Sequence, residues 1–302
     1  MSRRTRLGLS LALVLTLALE SSAAVPPPPG FLQSFDLVSD ATGFGGLSAI
    51  EMDDDGAQFT ALSDRGRFLT GTILRDAEGA ITGVTLSAPE LLRARGTDPL
   101  RAMRADSEGL AIAPDGTAYV SFEGAARVLR YDRLDGPAQN LPVPAAFLRM
   151  QKNAALEALA IDAAGRLYTM PEDVADQADY PVFRFDGAVW THLFDLPREG
   201  LFLPVGADFG PDGRLYVLER QFHGLAGFSS RVRALTLGAD GTPVVIRTVM
   251  ESPAGFHDNL EGLSVWQDGL GRIRLTMISD DNFVPWQTAE LVEYALPASS
   301  GG

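Results

Sequence analysis

The sequence predicts an all-β fold: a single β-propeller of four-stranded blades, five in number, closed by the N-terminal strand completing the last blade. Three observations predict it. Short apolar stretches alternate with turn signals such as Asp55-Gly56, Asp115-Gly116, Asp212-Gly213 and Asp240-Gly241, and no long amphipathic helix interrupts them. One strand–turn–strand unit, clearest in Asp106–Glu123 (DSEGLAIAPDGTAYVSFE), recurs five times at intervals of roughly 50–60 residues. Each interval holds about two further strands, except after the fifth copy, where one is missing and Phe31–Val38 is left over at the other end. Six blades is the alternative, because an insertion can hide or mimic a strand.

The opening unit shows why the pattern makes strands. Leu110 and Ile112 alternate with small residues, as a buried strand requires, and Pro114-Asp115-Gly116 supplies a fixed φ followed by a residue tolerant of positive φ. Ala118, Val120 and Phe122 then alternate with Thr117, Tyr119 and Ser121 as the return strand. The other copies align as Gly45–Ile50, Glu157–Asp162, Val205–Phe209 followed by Pro211–Val217, and Glu261–Trp266. The outer strands expected are Leu69–Leu74 and Ile81–Leu86, Arg127–Tyr131 and Gln139–Val143, Val182–Phe185 and Val189–Leu193, Arg231–Leu237 and Val244–Val249, and Leu291–Leu296.

Four segments follow from this: an export signal over 1–24, a proline-rich leader over 25–30, the propeller over 31–297 and a short tail over 298–302. The signal has a basic start (Arg3, Arg4, Arg6), an apolar run Leu7–Leu19 and the small residues Ser22-Ala23-Ala24. The run is short for a bilayer span, and Ser2-Arg3-Arg4 loosely fits a twin-arginine signal. A periplasmic or secreted protein is expected.

The 302 residues are 46% hydrophobic and 21% charged, a normal globular balance. The absence of cysteine excludes disulfides, thiolate catalysis and thiolate-ligated metals. A formal charge of −14 argues against nucleic acid, and against a membrane once the signal is gone. A monomer acting on a small anionic or ester substrate is expected.

Acidic residues end the second strand of every copy: Asp64, Glu123, Glu172, Glu219 and Asp280. Equivalent positions of a propeller share one rim, so these carboxylates would repel one another unless a cation joined them. Oxygen-only ligands favour calcium. A second set, Glu108, Glu157 and Glu261, heads the innermost strands, with Gly45 and Val205 in the other two copies. Strand capping or pairing with arginine would explain the same acids without a metal. Arg65 and Arg220 each follow a rim acid and have the fork geometry to hold a phosphate or carboxylate; salt bridges to the rim are the alternative. His223 and His257 are candidate proton carriers, while His192 falls in an outer strand and is expected to be structural. Ser279–Phe283 is rich in oxygen ligands at the start of a loop, whereas Asp53-Asp54-Asp55 falls in a solvated turn. There is no G-x-S-x-G elbow, H-E-x-x-H helix or P-loop.

Six motifs occur in order: Gly45-Gly46-Leu47-Ser48, Ala61–Gly66, Asp106–Leu110, Leu218-Glu219-Arg220, Asp258–Gly262 and Ser279–Phe283. Together they make the chain resemble the phytase-like β-propeller family, often labelled "esterase-like activity of phytase". The resemblance runs from about Phe31 to Leu296. It implies a bacterial exported propeller that hydrolyses phosphate or other esters with acidic, calcium-binding sites. On this footing Asp64, Glu108, Glu157, Glu261 and Asp280 are the expected metal ligands, and Arg65, Arg220, His223 and His257 the expected catalytic groups. A binding propeller with structural calcium, and a calcium-dependent lactonase, are the alternatives, since the fold alone does not choose.

Overall fold

The computed structural model describes residues 26–96, 98–100 and 105–297, and the expected export signal and tail lie outside them. Blade 1 comprises β2 (Leu47–Met52), β3 (Gln58–Ser63), β4 (Arg67–Arg75) and β5 (Ile81–Leu86), with the short β6 (Glu90–Leu91) also paired to β4. Blade 2 comprises β7 (Ser107–Ile112), β8 (Ala118–Phe122), β9 (Arg127–Tyr131) and β10 (Gln139–Asn140). Blade 3 comprises β11 (Leu156–Ile161), β12 (Leu167–Pro171), β13 (Tyr180–Phe185) and β14 (Trp190–Leu196). Blade 4 comprises β15 (Leu203–Phe209), β16 (Leu215–Phe222), β17 (Phe228–Leu237) and β18 (Pro243–Glu251). Blade 5 comprises β19 (Asn259–Gln267), β20 (Ile273–Asp280), β21 (Glu290–Ala295) and β1 (Phe31–Asp36). Every ladder is antiparallel, and no α-helix occurs among the described residues.

The five-bladed count and the closure by β1 match the sequence expectation. β1 lies in register with β21, pairing Ser34 with Val292 and Asp36 with Glu290, so β21 is not left as a free edge. The predicted strands are all present, though Gln139–Val143 shrinks to the two-residue β10.

The core is distributed over the five seams between neighbouring blades. Phe59, Leu69 and Leu291 fill the seam of blades 5 and 1. Leu62, Phe122 and Tyr131 fill that of blades 1 and 2, and Phe147, Leu159 and Phe183 that of blades 2 and 3. Tyr180 and Leu215 join blades 3 and 4, while Tyr216, Leu263 and Met277 join blades 4 and 5.

Two local features set the geometry at the axis. The hairpin at one end of each inner pair is tight, as where Gly116, at φ 85°, donates its N–H to Ala113 O at 2.9 Å. At the other end each inner pair carries a β-bulge, between Leu47 and Ala49, Ser107 and Leu110, Leu156 and Ala158, Pro204 and Gly206, and Leu260 and Gly262. A bulge re-aims the extra side chain. The residue after it is always small: Ala49, Gly109, Ala158, Gly206 and Gly262. Crowding explains this, because a Cβ on Gly109 would lie 2.5 Å from Glu157 O and one on Gly206 2.5 Å from Glu261 O.

Candidate metal centre

The bulges deliver Ser48, Glu108, Glu157, Val205 and Glu261 to the axis from the five blades. The first copy therefore registers three residues later than the sequence alignment placed it, with Ser48, and not Gly45, opposite Glu108. Below these side chains the axial cavity is only about 10 Å³, lined by Ser48, Glu108, Val205 and Glu261 among others. That is about the room of a single water-sized probe. The carboxylates therefore face one mouth of the ring, here called the upper one.

The ends of the second strands add a second tier. Asp64, Glu123 and Glu172 donate their N–H groups to Gly46, Asp106 and Ala155 across the inner pair, and Asp280 pairs with Asn259. In blade 4 the residue in this register is Arg220, opposite Leu203, and not Glu219. A one-residue step reverses the face of a strand. Glu219 accordingly points into the blade, fully buried, where it accepts hydrogen bonds from Arg231 at 2.6 Å and Arg233 at 2.5 Å. It belongs to the framework and not to the rim set.

The acids assemble as two overlapping triads. Asp106, Glu108 and Glu123 each present an oxygen within 4.8 Å of the others, and so do Glu123, Glu157 and Glu172. Burial, then repulsion from Glu261, Asp106 and Glu123, raises Glu108 well above the usual carboxylate range. Burial, then Glu108 and Glu172, does the same to Glu157. Burial followed by Asp106 and Glu172 lifts Glu123 to about 7. Asp64 is pushed to about 6, mainly by burial, with Arg65 opposing and Glu261 adding to the rise. Asp280 reaches about 8 through burial and then Glu261.

One guanidinium bonded within the cluster offsets part of this charge. Arg220 donates to Glu172 at 3.1 Å and, by its other terminal nitrogen, to Glu261 and Asn259. Its donors are spent inside the cluster, so it serves as an internal counter-ion. Arg65 is placed differently: it is exposed, beside Asp64, with its guanidinium 3.4 Å over the Phe283 ring. Stacking occupies the guanidinium face and leaves the donor edge free to meet an anion.

All five predicted ligands, Asp64, Glu108, Glu157, Glu261 and Asp280, join this mutually interacting set, together with Arg220. The histidines do not. His223 sits on the exposed β16–β17 turn, its Nε2 2.8 Å from Ser229 Oγ. His257 is only 5% exposed and lies against Phe31, Phe256 and Tyr294, its Nε2 2.6 Å from the Tyr294 hydroxyl. Burial lowers its pKa to about 4, so it is neutral at pH 7. His192 lies in β14 beside Asp195 at 2.8 Å, as an outer-strand residue should. Asp106 is the ligand candidate that residue reasoning missed; its signal was its place two residues before Glu108, the register in which blade 5 carries Asn259 before Glu261.

The donor set suits a hard cation. It is all oxygen, crowded within coordination reach, and carries more buried negative charge than Arg220 can balance. A groove of about 300 Å³ between blades 1 and 2, lined by Phe68, Glu90 and Arg133 among others, holds none of these carboxylates.

The family model described as "Phytase-like: Esterase-like activity of phytase" matches residues 42–283. The chain belongs to this phytase-like family. No curated protein matches the sequence. Among solved structures, the chain is similar to an α-L-arabinofuranosidase from Podospora anserina in complex with cellotriose, with 12% identity, 89% of this chain and 98% of that one covered, and a TM-score of 0.51. It is also similar to a luciferin-regenerating enzyme, with 12% identity, coverage of 90% and 96%, and a TM-score of 0.44. A PQQ-bound aldose sugar dehydrogenase from Streptomyces coelicolor matches with 12% identity, coverage of 89% and 100%, and a TM-score of 0.46. At this identity the likenesses speak to the fold alone.

Proposed function

We propose that this phytase-like protein is an exported, calcium-assisted hydrolase of phosphate esters or related esters. The observation that carries the reading is the pair of carboxylate triads sharing Glu123 at the mouth of a closed ring. Glu108, Glu123 and Glu157, with Asp106, Glu172, Glu261, Asp64 and Asp280 around them, are the residues that would hold the cation. A bound calcium ion would polarise the ester and make a bound water more acidic.

The chain's own groups supply the rest. Arg65, steadied on Phe283, aims its free donor edge at the anionic group and meets the charge that grows there. In hydrolysis a water oxygen bonds to the phosphorus or carbonyl carbon as the ester oxygen leaves with its alcohol. The water gives up one proton and the departing oxygen takes one, so a group that both accepts and returns a proton suffices. His223, the histidine open to solvent, is the candidate for this role. The narrow axis beneath leaves the upper mouth as the side with room for a substrate.

The test is hydrolysis of phytate, an aryl phosphate mono- and diester, an aryl acetate and a lactone, with excess calcium and with chelator. Calcium-dependent turnover that Glu157→Gln and Arg65→Ala abolish while the fold persists is the expected result. If no substrate turns over, yet calcium raises the melting temperature, the carboxylates hold a structural ion and the protein is a binding propeller.

A further inference from the structure

The acidic mouth is bordered by aromatic rings that neither the core nor the cation needs. Phe228 lies on the blade 4 side, with the Arg220 guanidinium 5.9 Å from its ring centre. Phe222 stacks on Phe228 at 4.9 Å between centroids, yet 64% of it stays exposed. The pair forms a step from the cluster out to solvent.

A second patch lies at the seam of blades 5 and 1. The loop after β20 places Asn282 at φ 47° and Phe283 at φ 52°. Two successive non-glycine residues in the left-handed region cost stability, most of all for a bulky one, so the loop is held there by specific contacts. Asp281 Oδ1 accepts the N–H groups of Phe283 at 3.1 Å and Gly46 at 2.8 Å. Gly46 makes room for the ring, since a Cβ there would lie 2.4 Å from both Phe283 and Asp64 Oδ1. The strain thus serves to lay one phenyl face beside a rim carboxylate. Three residues on, Trp286 is 80% exposed.

Charge narrows the occupant. The mouth gathers carboxylates from four blades, while Arg220 is committed to Glu172 and Glu261, leaving the Arg65 donor edge as the described cationic contact beside Asp64. Among the described residues Arg127, over the Phe122 ring, is a further guanidinium acting on Asp106, and a polyphosphorylated polyol would still meet far more acids than guanidinium groups. A compound with one compact anionic or ester group and one apolar arm matches both halves of the mouth.

We infer that the substrate class is such an amphiphilic ester, its polar group at Arg65 and the carboxylate cluster and its aryl or alkyl arm on the Phe222–Phe228 step, which sets specificity. The inference rests on the hydrolase reading for the word ester, but its binding half is separately testable. The probes are methylphosphonate and phenylbutylphosphonate, titrated into the calcium-loaded protein by calorimetry and by tryptophan emission, in parallel with kinetics on matched short- and long-arm aryl phosphates.

Phenylbutylphosphonate should bind at least about tenfold tighter than methylphosphonate, a gain in line with burying several methylene groups and a ring. Phe222→Ala, at an exposed position that leaves folding intact, should remove most of that preference. In kinetics Phe222→Ala should raise KM for the long-arm substrate and leave kcat and the short-arm KM within about twofold. Equal affinity for the two phosphonates, an arm preference untouched by Phe222→Ala, or tighter binding of phytate than of phenylbutylphosphonate, would overturn the inference. An intact arm preference without turnover of any ester would refute hydrolysis and leave the amphiphile site standing.

Discussion

At the scale of single residues, the carboxylates at the mouth make stability depend on pH in a particular direction. Asp64, Glu123 and Asp280 rise to about 6, 7 and 8 because burial and neighbouring acids disfavour their charged forms. Without a cation, the folded protein holds protons that the unfolded chain has lost, between roughly pH 4 and pH 8. Stability therefore falls as pH climbs through that window. The exposed turn aspartates Asp115, Asp186 and Asp240, lowered by backbone N–H groups, act in the opposite sense only at more acidic pH. In chelator the melting temperature should drop from pH 5 to pH 8, and calcium should cancel most of the drop, because the cation favours the charged forms. A melting temperature that rises over that range in chelator contradicts this account. Glu157→Gln should raise the melting temperature in chelator at pH 8 by removing a buried charge, and should lose most of the calcium-induced gain. If the variant gains as much from calcium as the parent, Glu157 is not a ligand. The repeat made Glu108, Glu157 and Glu261 legible, because each heads the same apolar motif. Glu219 misled because counting from a motif is blind to a one-residue change of face, and only the pairing register with β15 shows that Arg220 takes the rim position. The burial of His257 was beyond reach for another reason: Phe31 and Tyr294, which enclose it, are remote in the chain.

At the scale of elements, the strands were readable where apolar residues alternate between good turns, and less so where they are held by other strands. Ile81–Leu86 has the expected limits, while β10 keeps only two residues of the expected five. The bulges were not readable, since nothing in Glu-Gly-Leu announces that one of its residues is unpaired. The small residue after each bulge was the available trace. It carries a prediction: Gly206→Ala puts a methyl group 2.5 Å from a carbonyl oxygen of the next blade, where backbone must shift. A loss of about 1–3 kcal/mol in denaturant unfolding is expected from such overpacking. A neutral result would mean that the inner strands can spread. Between blades 5 and 1 the tie is ionic. Glu293 of β21, fully buried, accepts from Arg75 of β4 at 2.7 Å and from Arg274 of β20 at 2.6 Å. Glu293→Gln leaves Arg75 without its counter-charge and Arg274 with only Asp268, at 3.4 Å, and should cost about 3–5 kcal/mol. Glu293→Leu combined with Arg75→Met and Arg274→Met should recover much of it, which separates lost charge balance from lost packing.

At the scale of the whole molecule, the ring and the site depend on the same closure. Asp280 and Glu261 come from blade 5 and Asp64 from blade 1, so the cluster spans the seam beside the blade in which the first and last described strands pair. Closure there rests on β1. It forms the outer strand of blade 5 beside β21, and Phe31 packs edge-on against Phe256 at 5.2 Å and Tyr294 at 5.4 Å. That an N-terminal strand would complete the last blade followed from the sequence by subtraction: one interval lacked a strand, and one strand lacked a place. Its energetic weight is not visible in its composition, because β1 exposes every second residue and is unremarkable as a strand. Its weight comes from what it covers. Without it β21 becomes a free edge, and the seams of blades 4 and 5 and of blades 5 and 1 lose Phe31 and Phe35 respectively. A chain beginning after Asp36 should therefore melt lower, aggregate through β21 and lose its calcium response, although every predicted metal ligand remains in it. A synthetic peptide covering Phe31–Asp36, supplied in excess, should restore part of the calcium-induced rise in melting temperature by refilling the vacant strand position. A proline at Ser34 in that peptide, which cannot donate its N–H to the ladder, should restore less. If the truncated chain keeps the full calcium response, the cluster is assembled by the inner strands alone and the outer strand is only a cover.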